Sequence, residues 1–331
     1  MRVLVTGGAG YVGSFAVREL LTSGHEVVVL DDLSEGHRDA VRSELLVVGD
    51  VADRELVGRL LREHRIEAVM HFAAATSVEE SVRTPLRYYQ NNVVATLSLL
   101  ETMLEHDVGR IVFSSSAAVY GEPGSFPIEE DAPLEPTHPY GLTKLLGEQM
   151  IQDFSRAYDL GYVLLRYFNA SGGSADGFHG EDHRPETHLI PIVLQVPLGQ
   201  REALQVYGED YPTPDGTCVR DYVHVEDLAR AHELALGECS EPGRETGGGI
   251  YNVGTGAGHS VLEVIRSVEH VTGRPVPYRV SARRPGDPPR LVASSRRIRE
   301  ELGWIPADED LDSIVAGAWA WHRSHPEGYS A

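Results

Sequence analysis

The first apolar positions form a short run, Arg2-Val3-Leu4-Val5-Thr6, which ends at the glycines of Gly7-Gly8-Ala9-Gly10-Tyr11-Val12-Gly13. Beyond them, apolar residues recur at helical spacing through Phe15, Val17, Leu20 and Leu21, so the pattern predicts strand, glycine turn, helix. Gly24 stops that helix, and the β-branched run Glu26-Val27-Val28-Val29-Leu30 ends at Asp31-Asp32, completing a βαβ unit. Short buried strands are also predicted at Leu45 to Val48, Ala68 to Phe72, Ile111 to Ser114 and Val163 to Tyr167, most of them separated by helical stretches. Strands of this kind joined by crossover helices imply an α/β fold with a doubly wound parallel sheet.

From Asn169 the character changes, and Ser171 to Pro185 is mostly Gly, Ser, Asp and His. Strands are predicted at Leu204 to Tyr207 and Arg220 to Val225, and helices at Val261 to Thr272 and Leu311 to His325. The expected organisation is a cofactor-binding domain over 1–168, to which the chain returns around 218–250. A smaller mixed α/β lobe over 169–217 and 251–331 completes it. No internal repeat or low-complexity tract interrupts this plan.

A formal net charge of −21 on 331 residues opposes binding to polyanions, so nucleic acid and anionic membrane are not expected partners. Cys218 and Cys239 are too few for a disulfide framework and form no CxxC pair, which points to a reducing cytosol and to no zinc site or other metal. No apolar stretch approaches the ~18 residues of a membrane span, and the N-terminal run is too short for a signal peptide. The sequence therefore reads as a soluble cytoplasmic protein.

Gly7, Gly10 and Gly13 place tight backbone where the first strand feeds the first helix, the arrangement in which a Rossmann fold seats a pyrophosphate on a helix N-terminus. Asp31 closes the second strand, where a carboxylate accepts both adenosine ribose hydroxyls and repels a 2′-phosphate, so NAD is expected rather than NADP. Neighbouring Asp32 reads as a solvated acid. Tyr140 and Lys144, following Pro139, fall one turn apart on one helix face. A phenol has a pKa of ~10, and making it a base near neutrality takes about three units, or ~4 kcal/mol. A lysine charge within ~4 to 6 Å, together with a positively charged nicotinamide ring, is of that order. Ser116 ends a buried strand and is the expected partner of Tyr140, while Ser114 and Ser115 fit a turn. His71 reads as a satisfied core histidine, and Trp319 and Trp321 as packing.

The segments GGAGYVG, HFAA, YYQNNV, FSSSAAVYGE, PYGLTK, LLRYFNASG, RDYVHVEDL and YNVGTG follow in order. With them the chain resembles the UDP-glucose (UDP-galactose) 4-epimerases of the extended short-chain dehydrogenase/reductase family from end to end. The resemblance implies that Tyr11, Val12, Asp31, Asp50, Val51, Phe72, Ala73, Asn91, Lys144 and Phe168 contact NAD, and that Ser116 and Tyr140 face the sugar. It implies Asn169, His188 and Leu189 in the substrate loop, Tyr207 against the uracil, Arg220, Arg284 and Asp287 around the diphosphate and ribose, and Leu291 across the sugar pocket. Taken singly, Arg220 also fits an ion pair with Asp221, and Arg284 a solvated loop charge.

Three positions depart from many relatives: Ala118 replaces a threonine, Thr76 a lysine and His188 an asparagine. A nucleotide-sugar dehydratase or decarboxylase would carry carboxylates where this chain has Ala117 and Ala118. Epimerases of UDP-N-acetylglucosamine or UDP-glucuronate remain the alternative, and an NAD-sensing regulator would not need both Tyr140 and Lys144. The resemblance further implies a homodimer built on helices around Leu86 to His106 and Tyr140 to Tyr158.

Overall fold

The computed structural model describes residues 1–41, 46–239, 248–284 and 286–329. In chain order the strands are β1 (Arg2–Thr6), β2 (Glu26–Asp31), β3 (Leu46–Val48), β4 (Ala68–His71), β5 (Arg110–Ser116), β6 (Gly161–Tyr167), β7 (Asn169–Ser171), β8 (Leu204–Tyr207), β9 (Val219–His224), β10 (Gly248–Val253), β11 (Gly258–Ser260), β12 (Tyr278–Ser281) and β13 (Arg290–Leu291). The α-helices are α1 (Tyr11–Thr22), α2 (Arg54–Glu63), α3 (Val78–Arg83), α4 (Pro85–Tyr88), α5 (Ala95–Glu105), α6 (Pro139–Tyr158), α7 (Leu189–Leu194), α8 (Val225–Glu238), α9 (Val261–Thr272), α10 (Arg296–Leu302) and α11 (Leu311–Ser324), with a π-helical turn over Tyr89–Val94.

Seven parallel strands in the order β10-β6-β5-β4-β1-β2-β3 form the main sheet. Successive side chains of a strand point to opposite faces, and β1 shows the consequence. Val3 and Val5 enter a core with Val17, Leu20, Leu228 and Ala231 of α1 and α8. Leu4 enters another with Val57, Leu61, Leu99 and Met103 of α2 and α5. Both faces are covered, which is why these strands read as unbroken apolar runs. The chain starts at β1, works outward to β3 and then crosses back to β4, so the carboxyl ends of β1 and β4 open a crevice at the switch point.

In the second lobe, β9 pairs with β11 antiparallel and with β13 and β7 parallel, while β8 and β12 form a separate parallel pair. Ile190, Val193, Tyr222, Val264, Ile265, Ile314 and Val315 are buried together there.

Several sequence expectations shift. Leu45, Pro285 and 240–247, the last within the returning segment, lie outside the described residues. The strand expected to end at Ser114 runs on to Ser116, and its serines are strand residues rather than turn formers: Ser114 Oγ lies 2.5 Å from the Tyr167 hydroxyl, and Ser115 Oγ donates to Glu148 at 2.5 Å. The boundary drawn at 250/251 falls inside β10, because Ile250 to Val253 continue the ladder with Leu164 to Tyr167. Ile298 of α10 and Trp304 also pack in the core that holds Val3 and Val5, so the chain visits the sheet lobe once more after β10.

His71 is a satisfied core residue: Thr6 Oγ1 lies 2.6 Å away and Thr96 Oγ1 3.0 Å, and burial pulls its pKa down to about 3. Trp321 is fully buried and Trp319 packs against the second-lobe core. Among the described residues no helix is long and apolar enough to cross a membrane.

Candidate active site

At the end of β1 the backbone turns through Gly7 at φ +71°, and a Cβ on Gly13 would lie 2.2 Å from Gly7 O, so the turn closes only with glycine at both points. Helix α1 then begins at Gly10 with no side-chain cap and no acidic residue in its first turn. Helices α2, α3, α8, α9 and α11 each carry an acid there. The positive end of α1 is thus left for an external anion. Asp31 Oδ2 accepts the Ala9 N–H and Oδ1 the Leu33 N–H, both at 2.9 Å, which fixes the carboxylate against the glycine turn. Burial pushes its pKa up and these two amides oppose the rise. Each oxygen keeps a lone pair for a ribose hydroxyl. Asp32 serves a local turn instead, accepting from Ser34 N and Oγ. Glycine cradle, open helix end and anchored carboxylate together fit a dinucleotide.

The crevice is a cavity of about 700 Å³. Gly7, Gly10, Tyr11, Val12, Gly13, Asp31, Asp50, Val51, Phe72, Ala73, Asn91, Ser116, Tyr140 and Phe168 line it, as do Asn169, His188, Arg220, Arg284, Asp287 and Leu291. Thr76, Ala117 and Ala118 also border it. Three expected residues do not. Lys144 is buried beneath Tyr140's helix turn, and Leu189 packs at the start of α7 against the second-lobe core. Tyr207 is not among the lining residues, and the guanidinium of Arg284, which is one of them, stands over its ring, 4.1 Å from the centroid. Arg220 pairs with Asp287 rather than with Asp221. Asp221 is fully buried and accepts from the amides of Thr255, Gly256 and Ala293, tying RDYVHVEDL to YNVGTG.

Helix α6 presents the chemistry. Pro139 supplies its first turn and His138 caps it, Nδ1 accepting the Gly141 N–H at 3.1 Å while its ring stacks on Tyr140. Tyr140 is 8% exposed, on the cavity wall. Burial pushes its phenol up and a hydrogen bond with Ser116 opposes this. Lys144 Nζ donates to Ser114 O at 2.8 Å, and burial pulls its pKa down to about 7 against the attraction of Glu148. The ammonium is thus aimed at a backbone carbonyl. Desolvation is the largest influence on both groups, and the sequence reading expects the lysine charge to act on the phenol together with a positively charged nicotinamide ring.

Sequence reasoning missed the frame behind this pair. Glu148 and Arg166 form a buried bidentate ion pair, Nη2 to Oε2 at 2.6 Å and Nε to Oε1 at 2.9 Å, that locks α6 to β6. Asn92, in the π-helical turn, bonds both backbone groups of Ala75 and, at 3.0 Å, Thr143 Oγ1, coupling the loop after β4 to the residue before Lys144. Arg166 and Asn92 sit inside quoted segments and Glu148 just beyond one, yet their pairings span 17 to 51 positions that no local pattern records. Also missed is a cluster beside Tyr11: Glu181, His183 and Glu186, with His188, converge from one irregular stretch. Burial opposes protonation of the two histidines, but the flanking carboxylates push His183 up to about 9 and His188 up to about 10.

This fold and site define a nucleotide-dependent enzyme of the doubly wound class, and the chain belongs to the NAD dependent epimerase/dehydratase family, matched over residues 3–254. A UDP-glucose 4-epimerase of Halalkalibacterium halodurans is 52% identical over 330 residues, covering 100% of this chain and 98% of that one. A crystal structure of a UDP-glucose 4-epimerase superposes with a TM-score of 0.96 at 47% identity over the whole of both chains. A UDP-glucose 4-epimerase from Bifidobacterium longum, in complex with NAD+ and UDP, superposes with a TM-score of 0.93 at 40% identity, covering 99% of this chain and 100% of that one.

Proposed function

We infer that this chain interconverts UDP-glucose and UDP-galactose by transient oxidation at C4 of the sugar. The observation that carries the reading is that Tyr140 and Ser116 line the same cavity as the glycine cradle with Asp31 and as Arg220 and Arg284. NAD, when bound, supplies the hydride acceptor and a positive charge near the site. Gly7, Gly10, Tyr11, Val12, Gly13, Asp31, Asp50, Val51, Phe72, Ala73, Asn91 and Phe168 are the residues we assign to hold it, with Lys144 beneath.

The chain's own work is proton transfer and positioning. Tyr140 as phenolate takes the proton of the 4-hydroxyl, and Ser116 donates to the oxygen as its charge develops. Arg220 and Arg284 bind the diphosphate with Asp287, Asn169, His188 and Leu189 nearby, so the nucleotide stays anchored while the 4-keto sugar turns its other face. Tyr207 receives the uracil on its ring face opposite Arg284. Elimination of water would need a carboxylate at Ala117 or Ala118; methyl groups stand there.

Domain roles follow: 1–168 with the return through α8 and β10 holds the cofactor, and the second lobe, which includes β9, holds the substrate. A homodimer is supported by apolar side chains left exposed on the α3 to α5 segment and at the end of α6: Val82, Leu86, Val94, Leu97, Leu104 and Tyr158. A cytoplasmic location is supported by the buried, unbridged Cys218 and Cys239. The test is to give the purified chain UDP-galactose, UDP-N-acetylglucosamine and UDP-glucuronate. Conversion of UDP-galactose to UDP-glucose is expected; inertness toward it, with conversion of UDP-glucuronate, would move the assignment to the alternative.

A further inference from the structure

The segment from Glu181 to His188 has no regular secondary structure, yet it turns four donors toward one point. His183 Nδ1 lies 3.1 Å from Glu181 Oε1 and 3.6 Å from Glu186 Oε2. His188 Nδ1 lies 2.6 Å from Glu181 Oε1 and 3.3 Å from Glu186 Oε1. One donor atom from each of the four residues can be chosen so that all lie within 4.8 Å of one another. Donors bonded at ~2.0 to 2.1 Å to one tetrahedral cation stand about 3.3 Å apart, and these separations bracket that value.

The inward-facing atoms are buried and held at ion-pair distance from one another. Glu181 and Glu186 side chains are only 3% and 8% exposed. Glu181 Oε1, Glu186 Oε2 and His183 Nδ1 are buried with no hydrogen-bond partner, despite their close approach. Two carboxylates buried side by side repel one another and need a compensating charge, which protonated His183 and His188 or a bound cation can each supply. Meanwhile the outer atoms are pinned: Glu186 Oε1 accepts the amides of Thr187 and His188 at 2.7 and 2.8 Å, and Glu181 O accepts Trp321 Nε1 at 3.0 Å. Such outer contacts orient ligands toward a metal.

We propose that Glu181, His183, Glu186 and His188 bind one divalent cation of the zinc type. Two imidazole nitrogens with two carboxylate oxygens suit zinc and disfavour magnesium or calcium, which take oxygen sets. With all four ligands in one eight-residue stretch, the ion sets the conformation of that stretch. It thereby fixes the approach to α7, where His188 lines the cavity, against Tyr11 at the start of α1, whose ring lies edge-on to His183.

The experiment uses the full chain. Elemental analysis of protein purified without a histidine tag or chelator is expected to give close to one zinc per chain. After chelator treatment, added Zn²⁺ restores that content and raises Tm, and Co²⁺ in its place gives visible d–d absorption. His183→Ala and Glu186→Gln should each weaken Zn²⁺ binding at least tenfold. Wild-type protein that neither retains metal nor shifts its Tm with Zn²⁺ overturns the proposal, leaving the four groups paired only with each other. Full zinc uptake by both variants overturns it equally, by placing the ion elsewhere. The wild-type cobalt spectrum decides the matter without any variant having to fold.

Discussion

Lys144 Nζ donates to the carbonyl oxygen of Ser114 at 2.8 Å from a position only 3% exposed, so the ammonium is buried with a backbone oxygen as its hydrogen-bond partner. Its pKa in the folded chain is about 7, against ~10.4 for a free lysine. Below pH 7 both folded and unfolded chains hold the proton, and the fold carries the full cost of the buried charge. Between pH 7 and ~10.4 the unfolded chain alone binds it, so stability rises with pH across that window. Lys144→Met removes the cost. The cofactor-stripped variant is expected to melt above wild type at pH 6 by about 2 °C or more, with the gap closing toward pH 10. Turnover and NAD retention fall together in the same variant. Calorimetry at the two pH values checks the first statement; a gap that does not change with pH contradicts it.

Tyr140→Phe keeps the ring that packs beside His138 and deletes only the hydroxyl. Turnover should drop at least ~10²-fold, the lower range for a general acid-base group, with NAD content and Tm near wild type. Near-normal turnover would remove Tyr140 from the reaction.

Asp31→Ala should relax discrimination against NADP at least tenfold, because the carboxylate facing the cavity opposes an added phosphate. It should also weaken NAD, since the Ala9 and Leu33 amides lose their acceptor. Reconstituting stripped protein with each nucleotide measures both effects. An unchanged ratio would confine Asp31 to holding the turn.

Leu291 borders the cavity and packs beside Ala117, Val119 and Phe168. A leucine here leaves room for an N-acetyl group as the keto sugar turns, so measurable but slower epimerisation of UDP-N-acetylglucosamine is expected. Leu291→Tyr should depress that reaction several-fold and spare UDP-galactose. Equal losses on both substrates would indicate damage to the lobe, and no loss on either would place Leu291 outside the sugar's path.

What the sequence made legible was whatever local pattern encodes. The strand-glycine-helix unit, Asp31 at a strand end and Tyr140 one turn before Lys144 all follow from spacings of four residues or from periodicity, and each stands where expected. Legibility failed where a role depends on a distant partner. Nothing local tells that Asn92 reaches Thr143, that Asp221 holds three amides of two other segments, or that Arg284 covers Tyr207. The donors at 181–188 escaped for another reason. Their spacing matches no cysteine-based metal motif, and a stretch rich in Gly, Ser, Asp and His reads equally well as a domain edge. Short strands such as β7, β11 and β13 owe their existence to pairing with β9 and carry too few residues for a pattern.

Strand β10 has a consequence for how the molecule is made. It completes the main sheet by pairing with β6, but it is synthesised only after β7, β8 and β9 and helices α7 and α8 have emerged. Until then one edge of β6 offers unpaired amides and carbonyls, a template for another chain. The cofactor half is therefore not a separable cassette: a fragment stopped at residue 168 would carry that raw edge permanently and should aggregate on expression.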